Sequence, residues 1–158
     1  MSTINMGKRF ESKFMADWKK SFPQSFIFRL KDDTSQFKFS SKNPCDFICF
    51  VDGLLFLVET KTVHDRRFPL SNITQYDKLI SYKDIEGVIP CVIIWYIEKD
   101  VVLAAHIKTI ESMKEEKVKS ILYDITDCKY KLLSIPSQKK RVFMDSDYRN
   151  LKLLSEEQ

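Results

Sequence analysis

The stretch "CDFICFVDGLLFLVETK", Cys45 to Lys61, places Asp46, Glu59 and Lys61 among otherwise apolar residues. Two carboxylates and an ammonium form a set that can hold a divalent cation and act on a phosphate ester. Hard carboxylate oxygens suit Mg²⁺, which takes one or two of them and keeps several waters for a phosphate to share or displace. A lysine beside such an ion orients water or offsets the negative charge that develops on a phosphate.

Whether these side chains meet depends on strand register. Asp52-Gly53 suits the positive φ angles of a two-residue type I′ turn, which makes Val51 and Leu54 the last paired residues. Counting back, Phe50 faces Leu55, Cys49 faces Phe56, Ile48 faces Leu57, Phe47 faces Val58, and Asp46 faces Glu59. Opposed residues share a sheet face with Cβ atoms roughly 4.5–5.5 Å apart, and Lys61 joins that face by period-two alternation. Opposed like charges destabilise a sheet, so a cation between them is expected. The alternative is a solvated pair at a sheet end, with Lys61 as an ordinary ion-pair partner. The apolar Phe47, Ile48, Leu57 and Val58 put the hairpin in the sheet interior and favour the metal site.

The elements around the hairpin follow from periodicity. Met6, Phe10, Phe14 and Trp18 recur every four residues, so a helix is expected from about Thr3 to Lys20, with Glu11 beside its apolar stripe. "SFIFRL" reads as a strand and "KDDTSQFKFSSKNP" as a polar connection. After the basic loop "TVHDRRFP", Ile73, Tyr76, Leu79 and Ile80 predict a helix from about Ser71 to Ile85, stopped by Gly87. "PCVIIWYI" is a buried strand, "VVLAAHI" its hairpin partner, and a helix follows from about Lys108 to Val118. The remainder is the least patterned part of the chain. This order implies an α/β fold, a mixed sheet flanked by helices.

The 158 residues are most simply one domain, 1–158, with enough apolar surface for a sizeable core. Hydrophobic residues make up 44%, with only 3 Gly and 5 Pro, so disordered and fibrous classes are excluded. Cys45, Cys49, Cys91 and Cys128 lack zinc spacing and read as reduced thiols of a cytoplasmic protein. The N-terminus shows no signal h-region, and "VIIWYI" is too short to span a bilayer. The net charge is only +4, yet Lys8/Arg9, Lys19/Lys20, Arg29/Lys31, Arg66/Arg67 and Lys139/Lys140/Arg141 are basic clusters that a fold could gather on one face toward a polyanion. His64 and His106 have no spacing that would make them ligands together; His64 beside Arg66/Arg67 reads as a loop residue.

Asp46 followed by Glu59-Thr60-Lys61 resembles the site of the PD-(D/E)XK nucleases. "GKRFESKF", "NPCDF", "ETK", "FPLSNITQYDKL" and "GVIPCVIIW" are similar, in order and over roughly Gly7 to Tyr96, to the blocks of the RecU-like Holliday junction resolvases. The resemblance implies a restriction-endonuclease-like core in which Asp46, Glu59 and Thr60 hold Mg²⁺, or Mn²⁺, and Lys61 acts on the attacking water or the scissile phosphate. By the same resemblance, Glu11 completes the acidic cluster and Gln75 has a positioning role. The sequence departs from that pattern in having Pro44-Cys45-Asp46 where the motif has Pro-Asp. It also has only a short segment before Asp46, where RecU-type resolvases carry a long basic insertion.

The expected function is therefore a Mg²⁺-dependent structure-selective endodeoxyribonuclease cleaving four-way junction DNA in recombination and repair, a homodimer in a bacterial or phage-infected cytoplasm. Lys8, Arg9, Arg29, Arg66, Arg67, Lys139, Lys140 and Arg141 are the candidate DNA contacts. Two alternatives remain: the same chemistry on forks, flaps or duplex DNA, and a non-catalytic branched-DNA-binding protein on a nuclease-like fold.

Overall fold

The structure, a computed structural model, describes residues 5–31, 43–125, 129–140 and 144–157. Helix α1 (Met6–Ser21) begins where Asn5 caps the amide of Lys8 at 3.1 Å. Strands β1 (Phe26–Arg29), β2 (Phe47–Val51) and β3 (Leu54–Val63) follow, then the short β4 (Arg67–Pro69), a 3₁₀ turn (Leu70–Asn72) and α2 (Tyr76–Ile80). Next come β5 (Val88–Tyr96), β6 (Val101–His106), α3 (Ile107–Glu115), β7 (Ser120–Leu122), β8 (Leu133–Ile135), β9 (Ser137–Lys139) and β10 (Met144–Ser146). A 3₁₀ segment, Tyr148–Glu157, closes the described chain.

Six strands form one sheet in the order β1-β2-β3-β5-β6-β8, with β3 and β5 parallel and the other pairs antiparallel. The expected mixed α/β class is what the chain adopts. Parallel pairing puts β3 and β5 in the middle, and β5 is buried on both faces, as its continuous apolar run requires. Its side chains alternate between two cores. Ile89, Cys91, Ile93 and Trp95 join Phe10, Phe14 and Trp18 of α1 on one face, while Val92, Ile94 and Tyr96 join Leu79, Ile107 and Ile110 on the other.

The hairpin register matches the count from the turn at all five pairs from Val51↔Leu54 to Phe47↔Val58. Asp52 and Gly53 carry φ of 49° and 77°, the left-handed pair that a type I′ turn demands. One step further the expectation fails. Asp46 does not continue the ladder opposite Glu59; its amide donates to the Val58 carbonyl at 2.9 Å, and its own carbonyl accepts the amide of Leu30 at 2.8 Å. The backbone of Asp46 is thus committed to β1 and to Val58, which ends the pairing one residue early.

The helix expected from Ser71 to Ile85 is also corrected. Only Tyr76–Ile80 is α-helical, preceded by the 3₁₀ turn. Asn72, which ends the turn, and the following Ile73 and Thr74 are poor helix formers, two of them β-branched, and Ile73 leaves the helical region with ψ of 86°. Burial of Ile73 and Leu79 against the sheet reproduces the apolar spacing without a continuous helix. Cys45, Cys49 and Cys91 are free, buried thiols, as expected of core cysteines; burial pushes the Cys45 thiol up to about 12, which leaves it unreactive. Cys128 lies outside the described residues.

Candidate active site

Strand β3 carries the candidate catalytic residues at its C-terminal half. Glu59 and Lys61 project to the same face as Leu57, and the Glu59 side chain is 1% exposed. Lys61 Nζ stands 3.3 Å from Glu59 Oε1. The hydroxyl of Thr74 closes a triangle, donating to Glu59 Oε1 at 3.2 Å and accepting from Lys61 Nζ at 3.3 Å. Glu59 Oε2 is buried with no hydrogen-bond partner. Burial is the main cause that raises the Glu59 carboxyl above the ordinary carboxylate range; Lys61 opposes the rise, and the charge of Asp46 adds to it.

Asp46 is oriented by the middle residue of the same triplet. Its Oδ2 accepts the Thr60 amide at 2.8 Å and the Thr60 hydroxyl at 3.2 Å. Thr60 therefore aims Asp46, and any metal contact it makes falls to its carbonyl oxygen. Gln75 sits just before α2 and sends Nε2 to the Asn43 carbonyl at 3.1 Å, while its Oε1 is buried without a partner. Two acceptor-only oxygens, Glu59 Oε2 and Gln75 Oε1, are thus left unsatisfied among the described residues. Such groups are costly unless a cation or water completes them.

Glu11 is held from another element. It lies on α1, and its Oε2 accepts Arg29 Nη2. Among the described residues no three His, Cys, Asp or Glu side chains converge closely enough to hold a metal between them. Glu11 pairs with Arg29, which lies opposite Phe47 at the end of β1. Asp46 with the unpartnered Glu59 Oε2 still fits one hard divalent cation that keeps several waters.

The basic residues converge more fully than their spacing in sequence could show. Val63 is opposite Tyr96, so the C-terminal ends of parallel β3 and β5 lie together. Arg66 and Arg67 follow β3 at that end, both exposed. Arg29 ends β1 there, and the first turns of α1, with Lys8 and Arg9, reach it through the Glu11–Arg29 pair and through Phe10, whose ring is 5.6 Å from that of Trp95. Lys139 pairs with Asp100, just past β5, at 3.1 Å, and Lys140 next to it is exposed. Arg141 lies outside the described residues. His64 pairs with Glu98 at 3.1 Å, and the buried His106 accepts the Lys108 amide at 3.0 Å as the cap of α3, so neither is drawn into the site.

Thr74 is the residue that sequence reasoning missed. Its only signal was a hydroxyl immediately before Gln75, and no strand or helix spacing relates it to Glu59.

A family model described as RecU, Recombination protein U, matches residues 7–144. The chain belongs to the RecU family. That membership bears out the expected resemblance and supports the coarse assignment of a RecU-family chain as a recombination nuclease. Among solved structures, Hjc from Archaeoglobus fulgidus, a Holliday junction resolvase of an archaeal hyperthermophile, is similar at 18% identity and a TM-score of 0.47, over 65% of this chain and 78% of that one. D212, a nuclease from a fusselovirus, is similar at 7% identity and a TM-score of 0.46, over 98% of this chain and 94% of that one. No curated protein matches the sequence significantly. Among the described residues no helix is long and apolar enough to cross a membrane.

Proposed function

We propose that this RecU-family chain is a Mg²⁺-dependent endonuclease that cleaves four-way junction DNA as a homodimer. The observation that carries this reading is the buried Glu59 with an unpartnered oxygen, beside Lys61 and Asp46, at the end of the sheet where the basic side chains gather. A bound Mg²⁺ would supply Lewis acidity to the scissile phosphate and lower the pKa of a water. Asp46 and Glu59 Oε2 would hold the ion, with Mn²⁺ as the alternative metal.

Two of the three ammonium protons of Lys61 are directed at Glu59 and Thr74. The third is available to a water or a phosphate oxygen, where it holds the nucleophile and offsets charge developing on phosphorus. Gln75 Oε1 supplies an acceptor to orient the attacking water. In the reaction, the water oxygen bonds to phosphorus as the P–O bond to the leaving sugar oxygen breaks; the water gives one proton to solvent and the leaving oxygen takes one from solvent, so the products are a phosphate monoester and a sugar hydroxyl.

Lys8, Arg9, Arg29, Arg66, Arg67, Lys139 and Lys140 are the candidate phosphate contacts, and contacts of this kind position DNA without reading sequence. The homodimer is supported by the uncovered face of the sheet edge. Phe26, Phe28 and Phe50 are 53%, 51% and 48% exposed, on β1 and its neighbour β2, and among the described residues β1 is paired with β2 alone. A flat apolar edge invites association, and a two-fold joins such a patch to itself.

The deciding experiment is cleavage of a labelled four-way junction beside fork, flap and linear duplex, with and without Mg²⁺, using the wild type and Glu59→Ala. Paired symmetric nicks on the junction, absent in the variant and in chelator, are expected. Equal cutting of forks or duplex would redirect the substrate assignment, and no metal-dependent cleavage of any substrate would leave a DNA-binding module.

A further inference from the structure

We infer that Thr74 is a positioning residue, the hydroxyl that sets Lys61 and Glu59 in their working relation; the inference rests on the nuclease reading of this site. The geometry is a three-membered ring of contacts. Lys61 Nζ lies 3.3 Å from Glu59 Oε1, Thr74 Oγ1 lies 3.2 Å from the same oxygen, and Lys61 Nζ lies 3.3 Å from Thr74 Oγ1. A hydroxyl has one proton and two lone pairs. With the proton given to Glu59, a lone pair is left for the ammonium, so one group fixes a carboxylate and a cation together.

Without the hydroxyl, Lys61 keeps, among the described residues, its contact with Glu59, and the long lysine side chain regains rotamers that carry its ammonium away from the site. Glu59 Oε1 also loses a donor. The carboxylate then rotates more freely, and Oε2, the oxygen left without a partner, is no longer held in one direction.

Thr74 is well placed to act this way because its neighbours are anchored by contacts other than Glu59 and Lys61. The preceding Ile73 is 4% exposed in the core beneath the sheet, and its amide bonds to the Leu70 carbonyl at 3.1 Å. The following Gln75 is tied to Asn43. The hydroxyl therefore approaches β3 from a rigid neighbouring segment, which a strand residue could not do for its own neighbours. Side chains that orient metal ligands from behind typically matter by about 10–100-fold in metal affinity or activity.

The test compares Thr74→Val, which removes the hydroxyl at nearly constant shape, with Thr74→Ser, which restores it. Thermal unfolding first establishes that both variants are folded. On labelled four-way junction with Mg²⁺, Thr74→Val should lose about 10–100-fold in kcat with KM for DNA changed less than about twofold, and Thr74→Ser should return most of the loss. Independently of cleavage, calorimetric titration of the metal-stripped protein with Mn²⁺ alone should show weaker binding in Thr74→Val and recovery in Thr74→Ser. Wild-type kcat and Mn²⁺ affinity in Thr74→Val would overturn the inference, as would a Thr74→Ser variant as impaired as Thr74→Val. If the wild type cuts no DNA while Mn²⁺ affinity still follows the hydroxyl, the nuclease reading fails and the positioning role stands.

Discussion

Glu59 gives one carboxylate oxygen to Lys61 and Thr74 and keeps the other buried and unpartnered, so the metal-free fold bears the cost of its charge. Its carboxyl is raised above the ordinary range, chiefly by burial. The unfolded chain therefore releases this proton at lower pH than the folded one. Ionisation favours unfolding at neutral pH, and the penalty disappears as pH falls below the ordinary carboxylate range. Glu59→Gln should accordingly abolish Mg²⁺-dependent cleavage yet raise the stability of the metal-free protein at pH 7 by roughly 1–3 kcal/mol. The gain should vanish in acid, as thermal unfolding across pH would show; an equal gain at all pH values would mean that charge is not its origin. Lys61→Met removes the ammonium and keeps the stem, and should lower kcat by about 10²–10³-fold with DNA binding largely retained, measured by single-turnover cleavage and a binding titration.

Elements hold these residues through backbone geometry more than through propensity. The type I′ turn sets the register that aligns β2 with β3, and Gly53 adopts φ of 77° with nothing within 4 Å of where a Cβ would stand. Gly53→Ala is therefore strained by conformation and not by crowding, and should cost about 1 kcal/mol in urea unfolding. On α1, the 2% exposed Asp17 accepts Lys13 Nζ at 2.7 Å and the Ser146 amide of β10 at 3.0 Å. Asp17→Ala leaves that amide unsatisfied and should cost roughly 1–3 kcal/mol by the same measurement. Its effect on cleavage should follow stability alone, since Asp17 lies on the α1 side of the core and touches none of the site residues by these bonds.

Across the whole molecule, topology places Arg29, Arg66, Arg67 and Lys139 toward the end of the sheet where β3 and β5 finish. If Arg66 and Arg67 each neutralise a phosphate, replacing both with Ala should flatten the dependence of log affinity on log salt by about one unit per lost contact, equally for different junction sequences. The exposed phenylalanines of β1 and β2 govern assembly in the same reading. Phe28→Glu should shift the protein from dimer to monomer in light scattering and convert paired junction cuts to single nicks; a dimer unaffected by this change would place the interface elsewhere.

The sequence by itself determined the helix α1, the turn at Asp52-Gly53, five hairpin pairs and the face shared by Glu59 and Lys61. These are local consequences of period 3.6, period two and positive φ, which neighbouring residues dictate. It also carried the family, through motif blocks in their order. Tertiary structure decided the rest. Asp46 leaves the ladder as its amide goes to the Val58 carbonyl and its carboxylate to Thr60, and Glu11 pairs with Arg29. Thr74 meets Glu59 and Lys61 only because a break after the 3₁₀ turn brings another segment over β3. Such contacts join residues distant in the chain, and hydrogen-bond competition among them is settled by how the sheet and helices pack, which no local spacing encodes.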